Sequence, residues 1–207
     1  MNTPEARRPL ASRSTRWAGW LAGTAVRAGF TADGISILSL VFSAAGAAAL
    51  LWLPPPWNLL AAAAGVQLRL LCNLLDGMVA IEGARKSKVG VLYNEVPDRV
   101  ADSLFLVTMG YVIGIPWLGW LAALAAAVTA YIRVLGGTFG LAQDFRGPMA
   151  KQHRMAVMTA GCLAGAVEFF WNGGQHALVA AAWIIALGSV VTCGTRIRAI
   201  AHQLRDR

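Results

Sequence analysis

The sequence predicts an all-α integral membrane protein, with six transmembrane helices preceded by an N-terminal amphipathic surface helix. Of the 207 residues, 57% are hydrophobic and only 14% are charged, whereas about 25% of the residues of an average soluble domain are charged. Several apolar runs reach the roughly 20 residues that a helix needs to cross a bilayer. These runs lack the alternation of a membrane β-barrel, which excludes that architecture.

The chain divides into a short arm and one membrane domain. Residues 1–13 are polar and form a predicted flexible arm, and residues 14–207 form the single domain. Tryptophan and arginine side chains interleave over residues 14–29. This pattern is typical of an amphipathic helix that lies on the membrane surface.

Proline and glycine divide the rest of the domain into helices. Three prolines at 54–56 end the first apolar run because proline cannot continue a helix. Short turns at 114–116 and 172–175 separate later runs, and a polar loop at 140–154 precedes the fifth. The predicted spans cover residues 31–53, 57–81, 90–113, 117–139, 155–171 and 177–197.

The distribution of basic residues predicts the orientation in the membrane. The formal net charge is +8, and the Lys and Arg residues are concentrated in the N-terminal arm, two loops and the C-terminal tail. The other three turns contain neither residue type. By the positive-inside rule, both termini and the two basic loops face the cytoplasm of a plasma (inner) membrane. Anionic lipid headgroups explain the charge better than nucleic acid, so no nucleic-acid partner is expected.

A cluster of polar side chains interrupts the second and third spans. Asn73 and Asp76 are three residues apart, and Asn94, Asp98 and Asp102 follow one another at steps of four. Each set therefore shares one helix face, and both lie toward the cytoplasmic ends of their spans. Polar side chains at membrane depth are costly and usually functional. Their oxygen atoms suit Mg²⁺ or Mn²⁺ better than zinc or copper.

The spacing of this cluster resembles the signature of the CDP-alcohol phosphatidyltransferase family, D-x-x-D-G-x-x-A-R-x8-G-x3-D-x3-D. Five of the eight marked positions match: Asp76, Gly77, Ala80, Gly90 and Asp98. At the other three, Asn73 and Asn94 stand in place of aspartate and Ile81 in place of arginine. The segment from Thr31 to Ser36 is similar to the start of the first span in that family.

The resemblance implies an activity and its residues. Such enzymes transfer a phosphatidyl group from a CDP-linked lipid, such as CDP-diacylglycerol, to an alcohol in phospholipid biosynthesis, and CMP leaves. Asp98 is implied as the catalytic base. The implied ligands of Mg²⁺ or Mn²⁺ are Asn73, Asp76, Asn94 and Asp98. The implied nucleotide-binding residues are Thr31, Ser36, Gly77, Ala80, Arg85 and Gly90.

Basic residues near the cytoplasmic ends of the fourth and fifth spans form the implied acceptor site. These are Arg133, Lys151, His153 and Arg154. Basic side chains weakly favour a phosphorylated alcohol. Charges that bind headgroups or set the topology are the alternative interpretation.

Arg69 and Asp102 lie outside the signature, each one helical turn deeper than the cluster. A lone buried charge is very costly, whereas a pair is tolerated, so the two side chains are predicted to pair and support the metal site. The alternative is that Asp102 points into the cavity as an additional ligand.

Two other functional classes remain open from the sequence. The two exchanges of aspartate for asparagine are compatible with a catalytically impaired homologue that binds lipid or nucleotide. Buried charges could also serve a small ion-coupled transporter, although no inverted repeat is visible. The many small residues that allow close helix packing predict a homodimer surrounded by membrane lipid.

Overall fold

The computed structural model describes residues 15–82 and 90–206, and this part of the chain forms seven helices without a strand. The short helix α1 covers Arg16–Arg27. Six longer helices follow: α2 (Ala32–Trp52), α3 (Trp57–Glu82), α4 (Gly90–Val112), α5 (Pro116–Thr138), α6 (Lys151–Asn172) and α7 (His176–Arg205). The predicted arm at 1–13 lies outside the described residues, as does Arg85.

The all-α membrane fold class is confirmed. Helices α2, α3, α5, α6 and α7 are long and apolar enough to cross a membrane. Helix α4 has 23 residues but does not meet this criterion, because it carries Glu95, Asp98, Arg99 and Asp102. Five of the six predicted spans are therefore supported by length and composition, and the sixth stays a prediction.

Two helix boundaries differ from the prediction. Helix α6 begins at Lys151, so Lys151, His153 and Arg154 belong to its first turn and not to a loop. Helix α7 continues to Arg205, so most of the predicted tail is helical. The predicted boundaries followed the onset of charged residues. Lys, Arg and Gln are good helix formers, however, and backbone hydrogen bonding continues through them.

The helices contact one another in a closed circuit. Helix α2 packs against α3 and α4, α3 packs against α6, α4 packs against α5, and both α5 and α6 pack against α7. Helices α3 and α4, which carry the polar cluster, both pack against α2, and their side chains meet where Arg69 contacts Asp102. Helix α1 packs against α3.

Pairs of glycines bring neighbouring helices into backbone contact. A methyl group added at Gly65 of α3 would lie 2.8 Å from the Cα atom of Gly46 in α2. One added at Gly119 of α5 would lie 2.8 Å from the Cα atom of Gly110 in α4 and 2.6 Å from the carbonyl oxygen of Leu106. Small residues at such contacts allow close packing inside a membrane.

Replacing Gly119 by alanine is expected to lower the free energy of unfolding by about 1–3 kcal/mol, because overpacking must push α4 and α5 apart. Thermal unfolding in detergent measures the loss. Gly137→Ala on the same helix is the matched control, since no described heavy atom lies within 4 Å of its added methyl group. An equal loss in both variants would contradict the close contact.

Candidate active site

A cavity of about 530 Å³ lies inside the circuit of helices. Side chains of α3, α4, α5, α6 and α7 line it, together with Trp17 of α1 and Phe145 of the loop after α5. Its charged lining residues are Glu95, Asp98, Arg99, Arg133, Lys151, Arg154 and Arg196. Five of these are basic and two are acidic, so the cavity favours an anionic ligand.

Asp98 stands at the centre of the polar contacts in this cavity. Its Oδ2 atom pairs with the Nζ atom of Lys151, and Arg99 Nη2 lies 3.7 Å from the same oxygen. Its Oδ1 atom accepts a hydrogen bond of 3.2 Å from Asn73 Nδ2 and lies 3.5 Å from Arg69 Nη2. Residues from three helices therefore fix the orientation of this carboxylate.

A buried ion triad lies next to Asp98. Arg69 Nη2 is 2.6 Å from Asp102 Oδ1, so the two residues that the sequence pairs are in contact. Arg154 Nη2 donates to Asp102 Oδ2 at 2.8 Å, and Arg154 Nη1 donates to the carbonyl of Met149. Among the described residues Asp102 does not line the cavity, so its contacts favour the predicted pairing with Arg69 over the alternative role as an additional ligand.

The predicted metal ligands separate into two groups. Asn73, Asn94 and Asp98 line the cavity. Asp76 is buried outside the lining and accepts a hydrogen bond of 2.8 Å from Ser36 Oγ of α2. Asp76 lies outside the lining because its side chain faces α2, which packs directly against α3.

The predicted nucleotide-binding residues are mostly away from the cavity. Gly77 lines it, whereas Ser36, Ala80 and Gly90 do not, within the described part of the chain. Thr31 is the N-cap of α2, and its Oγ1 atom accepts a hydrogen bond of 3.1 Å from Gly34 N. The Thr31 side chain therefore caps the N-terminus of its own helix, which is the usual role of threonine at this position.

The predicted acceptor-binding residues include one that points elsewhere. Arg133, Lys151 and Arg154 line the cavity, whereas His153 is absent from the described lining. His153 is exposed, and its Nδ1 atom lies 2.9 Å from the carbonyl oxygen of Pro148. Because residues three apart share a helix face, Lys151 and Arg154 point inward and His153 points outward.

Glu95 and Phe145 were missed as residues of the cavity. Arg133 Nη2 lies 2.5 Å from Glu95 Oε1, and Arg133 Nη1 donates to Gln143 Oε1 at 2.5 Å. The guanidinium of Arg133 also lies 5.3 Å from the centre of the Phe145 ring. A carboxylate within an apolar run is a signal for Glu95, but no local pattern points to Phe145.

Arg196 of α7 was also missed. It is buried, with its Nη1 atom donating to the carbonyl of Thr129 at 2.7 Å and its Nε atom donating to the carbonyl of Arg146 at 3.0 Å. The sequence assigned it to a group of charges that set the membrane orientation. The sequence offered one signal for a buried role: Arg196 lies inside the last predicted span and not in the tail that follows it.

The oxygen donors of this region suit a hard divalent cation. Among the described residues, no three His, Cys, Asp or Glu side chains meet in an arrangement that could hold a metal ion. The available ligands are the carboxylates of Asp76 and Asp98 and the amide oxygens of Asn73 and Asn94. Two carboxylates balance the charge of one divalent ion and not of two, so the residues present fit a single ion.

Known proteins resemble this chain over most of its length. No family model matches the chain. Phosphatidylinositol phosphate synthase of Mycobacterium marinum is 30% identical over 184 residues, which cover 86% of this chain and 76% of that protein.

Crystal structures of the Mycobacterium tuberculosis phosphatidylinositol phosphate synthase have the same fold. The structure with CDP-DAG bound gives a TM-score of 0.74 at 25% identity, over 90% of this chain and 94% of that one. The complex with manganese and citrate gives the same TM-score over 88% of each chain. The similarity therefore spans the cavity as well as the helices. The chain belongs to the CDP-alcohol phosphatidyltransferase family, whose members transfer a phosphatidyl group from a CDP-linked lipid to an alcohol.

Proposed function

We propose that the chain transfers the phosphatidyl group of CDP-diacylglycerol to a hydroxyl group of inositol phosphate and releases CMP. The acceptor oxygen forms a bond to the phosphorus on the lipid side, and the bond from that phosphorus to the CMP oxygen breaks. The observation that carries the proposal is the cavity in which the Asp98 carboxylate lies among five basic side chains.

Asp98 is the group that takes the proton from the attacking hydroxyl. A general base must lie within hydrogen-bonding distance of the proton that it removes. Asp98 lines the cavity, and its contacts with Asn73 and Arg69 hold the carboxylate in one orientation. The acceptor can therefore meet a base whose position is fixed before it binds.

The basic lining residues recognise the phosphate group of the acceptor. Arg133 and Arg196 come from helices on the α5–α7 side of the cavity, and Lys151 comes from α6. Guanidinium groups bind phosphate with paired hydrogen bonds, which favours a phosphorylated alcohol over a neutral one. The related synthases from mycobacteria carry the corresponding product in their names.

Asp76 and Asp98, together with the amide oxygens of Asn73 and Asn94, would hold a divalent ion, Mn²⁺ or Mg²⁺. When bound, it neutralises charge on the diphosphate and helps to position it. The manganese complex of the related synthase supports a divalent metal as cofactor. The basic residues of the cavity bind the acceptor, and Asp98 takes the proton of the acceptor hydroxyl.

The membrane arrangement is part of the same proposal. Helix α4, the third of the six long helices along the chain, also spans the membrane and completes the six spans. The cavity and both termini face the cytoplasm of the plasma membrane. Helix α1 lies on the membrane surface, with Ala18 and Ala22 packed inward and Trp17 and Trp20 exposed. The functional unit is a homodimer.

Arg196→Met is expected to raise the KM for inositol phosphate at least about tenfold, because a charged hydrogen bond to phosphate is lost. The assay is CMP release from CDP-diacylglycerol with Mn²⁺, with inositol phosphate, inositol and glycerol phosphate as acceptors. Arg198→Met is the matched control, since Arg198 lies on the same helix and is exposed. Equal rates with inositol and inositol phosphate would refute the acceptor, and no CMP release with any acceptor would identify an impaired homologue.

A further inference from the structure

We propose that this chain binds its divalent cation only together with the diphosphate of the CDP-linked lipid, and that Lys151 balances the charge of Asp98 until then. This inference rests on the proposed function and specifies the order in which its ligands bind. The ligand-free protein and the protein with CDP-diacylglycerol therefore differ in their affinity for Mn²⁺.

The first support is the charge of the ligand set. Asn73 and Asn94 each provide an oxygen atom without a negative charge, so Asp76 and Asp98 carry all the negative charge of the four. Protein sites for Mg²⁺ commonly combine one or two carboxylates with phosphate oxygens of the substrate. This chain provides the carboxylates of such a site, and the diphosphate of the substrate would provide the remaining negative charge.

The second support is the surroundings of Asp98. The cationic groups of Arg69 and Arg99 lie 3.5 and 3.7 Å from its carboxylate oxygens, and Lys151 pairs with it directly. Arg69 also pairs with Asp102 and Arg99 with Glu95, so Lys151 is the cation whose described ion pair is with Asp98 alone. A divalent ion that approaches without other anions meets repulsion, which is strong where water is excluded.

The third support is the position of Lys151. Its side chain pairs with Asp98 and lines the cavity that the ligand must enter. A lysine ammonium group is a point charge on a flexible stem, so it can move from Asp98 to a phosphate oxygen without a shift of α6. The diphosphate then brings the negative charge that the cation needs and draws away the ammonium group that opposes it.

Equilibrium dialysis of the purified full-length chain against Mn²⁺ tests the inference without measuring catalysis. With CDP-diacylglycerol in the micelles, the apparent Kd for Mn²⁺ is expected to fall at least about tenfold. Phosphatidic acid serves as the lipid control, and binding to protein-free micelles is subtracted. Mn²⁺ binding that is as tight without CDP-diacylglycerol as with it, or an equal effect of phosphatidic acid, would overturn the proposal.

The double variant Asn73→Asp/Asn94→Asp restores two carboxylates and is expected to bind Mn²⁺ without nucleotide at least about tenfold more tightly than the unchanged chain. Asn172→Asp adds a charge at the far end of α6 and should leave the affinity unchanged. A similar gain in Asn172→Asp, or no gain in the double variant once size-exclusion chromatography shows that it is folded, would count against the inference. If the double variant does not fold, the titration of the unchanged chain decides.

CMP release measured on the same preparation separates the two proposals. Nucleotide-dependent Mn²⁺ binding without CMP release refutes the proposed function and supports the order of binding. CMP release with Mn²⁺ binding that does not depend on nucleotide refutes the order of binding alone.

Discussion

Asp98→Asn is expected to reduce the rate of CMP release from CDP-diacylglycerol by about 10²–10⁴-fold, the usual contribution of a general base. Asparagine keeps the size of the side chain and can still accept a hydrogen bond, but its amide cannot take the proton of the acceptor hydroxyl. The loss should remain in kcat at saturating Mn²⁺ and acceptor, because saturation removes any effect of the exchange on metal or acceptor affinity. Initial rates at saturating inositol phosphate measure it.

Asp206→Asn is the control for this experiment. Asp206 lies at the end of α7 with its side chain 61% exposed, and it pairs with His202 of the same helix. The same exchange of charge is therefore made far from the cavity, and no change in rate is expected. A rate within threefold of the unchanged chain for Asp98→Asn would remove Asp98 from the role of base and leave it as a binding residue.

The helices were predictable because the signals for them are local. Pro54 to Pro56 end one apolar run, and Gly173 adopts a positive φ of 69° at the C-terminus of α6, where glycine is favoured. The start of α6 was not predictable in the same way. Hydropathy separates apolar from polar residues, whereas a helix continues through any residues that keep its backbone hydrogen bonds.

The candidate site was predictable where it depends on helix periodicity. Steps of three and four residues place Asn73 beside Arg69 on one helix and Asp98 beside Asp102 on the next. The contact between Lys151 and Asp98 joins residues 53 positions apart, and it exists only because α3, α4 and α6 surround one cavity. Arg196 and Phe145 reach the cavity for the same reason, and no pattern near them in the sequence indicates it.

The second large effect is expected at the buried ion triad. Asp102→Asn should lower the free energy of unfolding by about 3–5 kcal/mol, the usual result of removing one member of a buried ion pair. Arg69 and Arg154 are 0% and 2% exposed, so neither can turn its charge toward water. Thermal unfolding in detergent measures the loss, and Asp206→Asn again serves as the exposed control.

The two arginines are expected to respond differently when Asp102 loses its charge. Arg69 keeps a second carboxylate, because its Nη2 atom lies 3.5 Å from Asp98. Arg154 has no second carboxylate among the described contacts, since its other hydrogen bonds go to the carbonyl of Met149 and the hydroxyl of Thr129. Most of the destabilisation should therefore come from Arg154.

The double variant Asp102→Asn/Arg154→Met separates these contributions. It removes the unpaired guanidinium together with its carboxylate, so it should be more stable than Asp102→Asn by at least about 1 kcal/mol, as expected for coupled residues in contact. Additive losses would show that the triad is not an energetic unit. Unchanged stability of Asp102→Asn combined with a large loss of CMP release would instead assign Asp102 to the positioning of Asp98, through the arginine that contacts both.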